Sequence, residues 1–284
     1  MTVLVFLDSA YPDGRIADAG QPQLKVTDTG ITRGDGIFET MLAVQGAPRK
    51  LQAHLARLAT SAEALELDVP ASSVWERAIT TALAEADDDG ELVVKLVATR
   101  GEEGAGATAW VQVSPLPKEL RGQRLKVLLL DRGYDSTVAQ RAPWLLMGAK
   151  TLSYAVNMAA LRYARAHGAD DVIFTSSDGK VLEGPTSTVL IARVADGVKR
   201  LITPQLESGI LPGTSQGALF ATAREAGWEL GYGPLVPEDL FTADGVWLIS
   251  SVRLLAEVES IDGKPVATSP ELTKELGALV DAVS

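Results

Sequence analysis

Two residues near the middle of the chain, Lys150 and Glu183, have side chains suited to chemistry on a substrate. Lys150 precedes apolar residues at helical spacing, which predicts a helix that ends near Gly168. Glu183 ends a predicted β-hairpin formed by residues 172–174 and 181–183. A lysine that has lost its proton is a nucleophile that can form an imine. A lysine just ahead of an apolar helix is also typical of an ordinary solvated helix end, so the pattern alone leaves both interpretations open.

Three other stretches combine glycine, arginine or hydroxyl side chains. A glycine-rich run at residues 27–40 leads into a predicted strand, and as a bare pattern it is typical of an ordinary turn. Arg57 lies beside the apolar stripe of a predicted helix, residues 51–67, which also suits an arginine whose head reaches water. Thr214 and Ser215 open another predicted helix after a Pro-Gly turn. Free N–H groups at such a start suit a phosphate, and they equally suit a capped helix without a ligand.

Composition limits the classes of protein to which the chain can belong. Its 284 residues, 46% hydrophobic and 22% charged, are ordinary for a globular protein of one large or two modest domains. A net charge of −11 argues against a nucleic-acid surface. The absence of cysteine excludes disulfides, zinc thiolate sites and thiol nucleophiles, and two histidines are too few for a histidine-rich metal site. The expected location is the cytoplasm, without a signal peptide or membrane partner, because no apolar run approaches the roughly 18 residues of a membrane span.

Several strings, read together, point to one family. AKTLSYAVN, DDVIF, DGKVLEG and PTSTV in the middle of the chain resemble the fold-type IV pyridoxal phosphate (PLP) enzymes, as do RGDGIFET, HLARL and ILPGT elsewhere. That family includes branched-chain aminotransferases, D-amino acid aminotransferases and aminodeoxychorismate lyases. The resemblance covers nearly the full length. It implies an α/β (α+β) protein with a small α/β domain at residues 1–117, a larger β-rich pseudo-barrel domain at residues 118–284, PLP between them, and a homodimer.

The resemblance also implies a role for individual residues around the reacting atoms. Lys150 is implied to form the Schiff base with PLP, and Glu183 to pair with the pyridinium nitrogen. A carboxylate in that place keeps the ring protonated, so that the ring accepts the electrons of a substrate carbanion. Phe38 is implied to be a wall of the pocket, and Tyr154 to contact the cofactor.

A second set of residues is implied to hold the cofactor phosphate. Arg57 matches the arginine of the HLARL string, and Thr214 and Ser215 match the phosphate-binding turn. The family also uses a strand corner, often with threonine at its tip, where this chain has Ser251 and Val252. This departure leaves open whether side chains or backbone N–H groups act there.

The substrate and the outcome of the reaction are less determined. Arg33 and Arg253 are both candidates for binding a substrate carboxylate, since a guanidinium matches carboxylate geometry, and a plain surface role suits Arg33 equally well. The string KTLSY favours an aminodeoxychorismate lyase that releases pyruvate and p-aminobenzoate for folate synthesis. Branched-chain enzymes tend to place a tyrosine five residues after the lysine, whereas Tyr154 lies four after it.

A class IV aminotransferase acting on D-amino acids, branched-chain L-amino acids or (R)-amines is the alternative. The same lysine serves both reactions, so its presence does not choose between them. A non-catalytic scaffold on the same fold is a third possibility. Retention of Lys150, Glu183 and Arg57 together argues against it, because a scaffold would not require all three.

Overall fold

The residues that the computed structural model describes are 1–86, 90–117 and 120–283. Their contacts form two compact units, the first comprising Met1–Lys118 and Ala149–Tyr154 and the second comprising Glu119–Gly148 and Ala155–Ser284. Each unit contains a β-sheet with helices, which confirms the predicted α/β class. The sequence analysis divides the chain at residue 117 and assigns residues 149–154 to the carboxy-terminal domain, whereas that segment packs with the first unit.

The first unit is built on an antiparallel sheet of six strands in the order β2-β1-β6-β5-β3-β4. Its strands are β1 (Val3–Phe6), β2 (Arg15–Ala17), β3 (Gly36–Val44), β4 (Ala47–Pro48), β5 (Glu91–Thr99) and β6 (Thr108–Pro115). Its helices are α1 (Thr29–Arg33), α2 (Leu51–Ala64) and α3 (Ser72–Ala84). Successive residues of a strand point to opposite faces of the sheet, so Glu39 lies on the same face of β3 as the buried Ile37 and Met41. Helix α2 contacts β3 on that face.

Helix α2 forms where the apolar periodicity predicts it, although it ends three residues earlier than expected. Its buried face includes Leu55, Leu58 and Ala62. Each leucine removed from water in this way contributes about 1.5–3 kcal/mol. The packing of this stripe fixes the rotation of the helix, and with it the direction of the polar residues beside the stripe.

Helix α1 is an element that the sequence analysis does not predict, since the glycine-rich run suggests only a turn. Asp28 begins the helix by accepting a hydrogen bond from the Gly30 N–H, and its other oxygen accepts one from Thr99. Gly34 ends it with a φ of 69°, a conformation that glycine adopts without steric cost. Arg33 is therefore the last residue of a five-residue helix, and it is exposed.

The segment Ala149–Tyr154 extends along the beginning of β3. The Phe38 N–H donates to the Lys150 carbonyl at 3.0 Å, and the Leu152 N–H donates to the Gly36 carbonyl at 2.7 Å. These bonds prevent the segment from winding into a helix, so the helix begins only at Ala155. The prediction that Lys150 lies at the start of the helix is wrong by five residues.

The second unit contains an eight-stranded sheet in the order β11-β10-β9-β12-β13-β7-β8, with β14 paired to β13. Its strands are β7 (Leu125–Asp131), β8 (Asp171–Thr175), β9 (Thr188–Ala195), β10 (Val198–Pro204), β11 (Glu229–Gly233), β12 (Gly245–Ser250), β13 (Leu254–Ile261) and β14 (Lys264–Pro265). Its helices are α4 (Val138–Arg141), α5 (Ala155–Ala166), α6 (Thr214–Glu225), α7 (Pro237–Thr242) and α8 (Pro270–Asp281), with short 3₁₀ turns at Pro143–Leu145 and Leu206–Ser208. Apolar residues of β9 and β12, including Val189, Ile191, Val246 and Leu248, form the middle of its core.

The predicted return strand at residues 181–183 does not form as a strand. Of these three residues, only Val181 forms a β-bridge, which it makes with Thr175. The Val181 N–H donates instead to the main-chain carbonyl of Leu235, so the pairing does not extend into a strand. Two further bonds join this stretch to Phe174, and the chain then reaches Pro185, which has no N–H to continue the pairing. In the described residues no helix is long and apolar enough to cross a bilayer.

Candidate active site

Lys150 lies against two aromatic rings of the first unit. Its Nζ is 4.4 Å from the centroid of the Phe38 ring and 5.4 Å from that of Tyr154. The two rings meet edge to face, with centroids 5.1 Å apart and planes at 85°. The Lys150 N–H donates to the Ser61 hydroxyl at 3.1 Å, which fixes the main chain as well. The structure thus brings together three residues that the sequence analysis assigns to the site, and adds Ser61.

A buried charged cluster lies on the helix-covered face of β3. Glu39, fully buried, accepts hydrogen bonds from Arg57 Nε at 2.7 Å and from Arg57 NH2 at 2.8 Å. His54 Nδ1, also fully buried, lies 2.8 Å from the same carboxylate. Burial alone would raise the pKa of Glu39, but the hydrogen bonds from Arg57 and His54 lower it to about 2. Burial lowers the pKa of His54, against the effect of Glu39, so the imidazole is neutral at pH 7.

This cluster fixes the plane of the Arg57 guanidinium. A bidentate pair defines both the position and the orientation of an arginine, so whatever anion Arg57 binds meets donors of fixed direction. The sequence analysis names Arg57 and overlooks Glu39. The signal was present, because a glutamate on the apolar face of a strand requires a partner, and His54 and Arg57 lie one turn apart on one helix face.

Glu183 lies in the second unit, next to the end of β8. Its main-chain carbonyl accepts from the Phe174 N–H at 2.9 Å, and its Oε2 accepts from the Leu211 N–H at 3.1 Å. Burial raises the pKa of the nearby Tyr134; a hydrogen bond from Arg132 opposes the shift and the charge of Glu183 adds to it. An anchored carboxylate of this kind is suited to holding a proton on a ring nitrogen.

A chain of side chains supports the stretch that follows Glu183. Arg132 NH2 donates to the Asn157 side-chain oxygen at 2.9 Å, and the Asn157 amide donates to the Pro185 carbonyl at 2.7 Å. The Arg132 guanidinium also lies 4.5 Å from the centre of the Phe174 ring. The sequence analysis did not single out these residues, since their spacing in the chain shows no pattern.

Three hydroxyl groups meet at the start of α6. The side-chain oxygens of Thr214 and Ser215 each lie 3.1 Å from that of Ser251. Gly213 precedes the helix and provides no side-chain cap for its first N–H groups. A Cβ on Gly213 would lie 2.5 Å from the Thr188 hydroxyl oxygen, so the backbone passes close to β9 there. Helix N–H groups and hydroxyls, without a carboxylate among them, fit a phosphate ester.

The strand corner after β12 is held by two arginines. Arg121 donates to the Val252 carbonyl from Nε at 3.3 Å and from NH2 at 3.2 Å. Arg253 NH1 donates to the buried Asp171 at 2.7 Å. The second of these contacts makes Arg253 part of an ion pair within the unit, in addition to its predicted role as a carboxylate ligand.

The first unit has a lysine against aromatic rings, and the second has an anchored glutamate and a helix start whose donors suit a phosphate; each is a group of the kind that PLP enzymes use. The chain belongs to the amino-transferase class IV family, whose sequence profile matches residues 36–261. It is 44% identical over 281 residues to a bifunctional aminodeoxychorismate lyase / D-amino acid transaminase of Mycobacterium tuberculosis, covering 95% of this chain and 96% of the relative.

Solved structures agree with this assignment. A fold IV-transaminase from Curtobacterium pusillum superposes with a TM-score of 0.92 at 42% identity, covering 100% of both chains. A hypothetical aminotransferase from Mycobacterium tuberculosis in its PLP-bound form gives a TM-score of 0.93 at 42% identity, covering 99% of this chain and 98% of that one. The protein is therefore a PLP-dependent enzyme of the fold-type IV class, which confirms the predicted family, cofactor and enzymatic nature.

Proposed function

We propose that the protein is an aminodeoxychorismate lyase that converts 4-amino-4-deoxychorismate into p-aminobenzoate and pyruvate for folate synthesis. The relative from Mycobacterium tuberculosis, whose name includes this activity, supports the proposal over nearly the whole chain. The structural observation that supports the lysine chemistry, which this reaction shares with transamination, is the placement of Lys150: its amine lies against Phe38 and Tyr154 while its main chain is hydrogen-bonded to β3. A catalytic lysine needs a fixed main chain to position its amine, and this segment provides it.

Each group of side chains has a distinct task in this proposal. PLP, when bound, withdraws electrons from the substrate carbon that carries the amine. Glu183 holds a proton on the cofactor ring. Thr214, Ser215 and Ser251 hold its phosphate through the geometry at the start of α6, and Arg57, oriented by Glu39, adds a positive charge.

Lys150 is the proton carrier. Its amine removes the proton from the ring carbon that bears the substrate nitrogen. The electrons of that C–H bond then expel the enolpyruvyl oxygen, so the ring becomes aromatic and the C–O bond breaks. Lys150 gives the proton that it accepted to the leaving enolate, which becomes pyruvate, so the step needs no oxidant or reductant.

D-Amino acid transamination is the second candidate, because the same relative carries that activity in its name. In that reaction Lys150 would remove the proton from the substrate carbon that bears the amine and would return it elsewhere. Water would release the oxo acid, and the amino group would pass to PLP, which Lys150 and Glu183 would hold. The contacts of Lys150 with Phe38, Tyr154 and Ser61 serve both outcomes equally.

The deciding experiment is a visible absorption spectrum of the purified protein with PLP, repeated after adding one substrate without an amino acceptor. We expect the band of the lysine-bound cofactor to persist while 4-amino-4-deoxychorismate yields p-aminobenzoate and pyruvate in equal amounts. Conversion of the cofactor to its pyridoxamine form by a D-amino acid, without turnover of aminodeoxychorismate, would replace the lyase by the transaminase.

The variant that tests Lys150 is Lys150→Ala, which should lose both the band and turnover. Lys274→Met is the matched control, because Lys274 is an exposed lysine on α8. An active Lys150→Ala protein would contradict the mechanism for both reactions.

We also propose that the enzyme is a homodimer. In the second unit, helix α5 exposes Val156 at 58% and Tyr163 at 50%, and the 3₁₀ turn Pro143–Leu145 exposes Trp144 at 75%. Exposed apolar groups of this size favour burial against another surface. Light scattering after gel filtration should give twice the chain mass, and Val156→Lys should shift the protein toward the monomer. A monomer at all concentrations would contradict the proposal.

A further inference from the structure

The aromatic ring that contacts Lys150 also contacts a second lysine. Lys95 Nζ lies 5.2 Å from the centroid of the Phe38 ring, and Lys150 Nζ lies 4.4 Å from the same centroid. We propose that Lys95 is a specificity-determining residue that binds a second anionic group of the substrate, a carboxylate remote from the reacting amine. The inference rests on the proposed function only in taking Lys150 as the lysine that reacts.

The register of the sheet places Lys95 on the same face as Phe38. Lys95 on β5 is paired with Thr40 on β3, and Phe38 is paired with Val97. Side chains directly opposite each other point to one face, and residues two apart along a strand share it. Phe38, Thr40 and Lys95 therefore lie on one face of the sheet, opposite to the face that holds Glu39.

The charge of Lys95 has no counter-ion among the described residues. The side chain is half-buried, and it forms no ion pair or hydrogen bond with any residue that the structure describes. Lys199, in contrast, is paired with Glu275 at 2.5 Å. A half-buried ammonium group without a counter-ion is stabilised by an anion, because the anion offsets the lost hydration.

The positions of the two lysines allow an amine that carries a remote carboxylate. The side-chain nitrogens of Lys95 and Lys150 are separated by no more than the sum of their distances to the Phe38 centroid, which sets an upper limit on the span between them. A substrate nitrogen and a carboxylate carbon joined through three further carbons span roughly 5–6 Å. A charge-assisted hydrogen bond of about 2.8 Å completes the distance to Lys95. Glutamate, with three intervening carbons, and 4-amino-4-deoxychorismate, whose ring carboxylate lies opposite its amine at a similar distance, both meet this requirement, whereas amines without a second anionic group do not.

The test measures binding of glutarate, a dicarboxylate without an amine, against its monoamide, which has nearly the same shape and one negative charge fewer. Dissociation constants are determined by calorimetry on the holoenzyme for the wild type, Lys95→Met, Lys95→Gln and Lys95→Arg. Lys274→Met serves as the control. A hydrogen bond between the Lys95 ammonium group and the second carboxylate should make glutarate bind roughly 10- to 100-fold more tightly than its monoamide. We expect the wild type, Lys95→Arg and the control to show this preference, and Lys95→Met and Lys95→Gln to lose most of it.

Two results would overturn the inference: a wild type that binds both ligands equally, or a folded Lys95→Met or Lys95→Gln protein that retains the full preference. The circular dichroism spectrum shows whether each variant is folded. If one of the two neutral variants, Lys95→Met or Lys95→Gln, is unfolded, the binding data of the other one test the inference. Glutarate cannot react, so the outcome does not depend on turnover. Loss of the proposed lyase and transaminase activities in the wild type, with the glutarate preference intact, would refute the proposed function and leave the Lys95 site in place.

Discussion

Replacing Glu39 with glutamine keeps the size and shape of a fully buried side chain and removes its charge. The Arg57 guanidinium, whose side chain is only 12% exposed, then loses its counter-ion inside the protein. A pKa of about 2, compared with 4.5 for an unperturbed glutamate, corresponds to roughly 3 kcal/mol of preferential stabilisation of the ionised form. Glutamine resembles the protonated acid, so Glu39→Gln should lower the free energy of unfolding by about 3 kcal/mol at pH 7.

The same shift fixes the pH dependence of stability. Because the pKa of Glu39 is lower in the folded protein than in the unfolded chain, its contribution is fully present above about pH 4.5. That contribution is lost as the pH falls from 4.5 through the folded pKa of about 2. The difference in stability between the wild type and Glu39→Gln should therefore be constant near neutrality and shrink in acid.

Urea unfolding followed by circular dichroism measures this difference. Glu63→Gln is the matched control, because Glu63 is an exposed glutamate on α2, the helix that carries Arg57, and its change should stay within about 0.5 kcal/mol. A Glu39→Gln protein that loses less than about 1 kcal/mol at pH 7, or a difference that does not shrink in acid, would show that the charge of Glu39 does not stabilise the cluster.

Two further predictions concern the residues that are proposed to hold the cofactor phosphate. Arg57→Ala should weaken PLP binding roughly 10- to 100-fold, since a charge-assisted contact is lost, and a cofactor titration that shows unchanged affinity would remove Arg57 from the site. Gly213→Ala should destabilise the protein by about 1–3 kcal/mol and weaken PLP binding, because the new methyl group would lie 2.5 Å from the Thr188 hydroxyl oxygen. The double variant Gly213→Ala/Thr188→Ala should regain part of the lost stability and part of the lost PLP affinity, measured by thermal unfolding and cofactor titration. If the effects of the two substitutions are strictly additive, the clash with Thr188 is not the cause of the losses.

The elements that the sequence predicts well are those whose signal is local. Helix α2 and helix α6 follow apolar periodicity and turn residues, and both form within a few residues of the predicted bounds. The cluster of Thr214, Ser215 and Ser251 joins two such elements, and the family strings locate both. Short-range patterns are sufficient there because each element carries its own stop and start residues.

The features that the sequence does not predict depend on contacts between distant parts of the chain. Residues 150–152 form an extended segment because their partners lie in β3, more than a hundred residues earlier. The Glu39 carboxylate is paired across a strand and a helix, and Lys95 is distinguished only by the register that places it beside Phe38. A single sequence contains no periodicity that reports such pairings.

The hydrogen bonds between Lys150 and β3 have a consequence for any attempt to divide the chain. The first unit is not a continuous stretch of sequence, because Ala149–Tyr154 supplies the partner for the first residues of β3. A fragment that stops at residue 117 would leave the Gly36 carbonyl and the Phe38 N–H as unpaired groups on an exposed strand edge. Such edges recruit other chains. The amino-terminal half expressed alone should therefore aggregate, and supplying a peptide that spans residues 147–156 should reduce that aggregation.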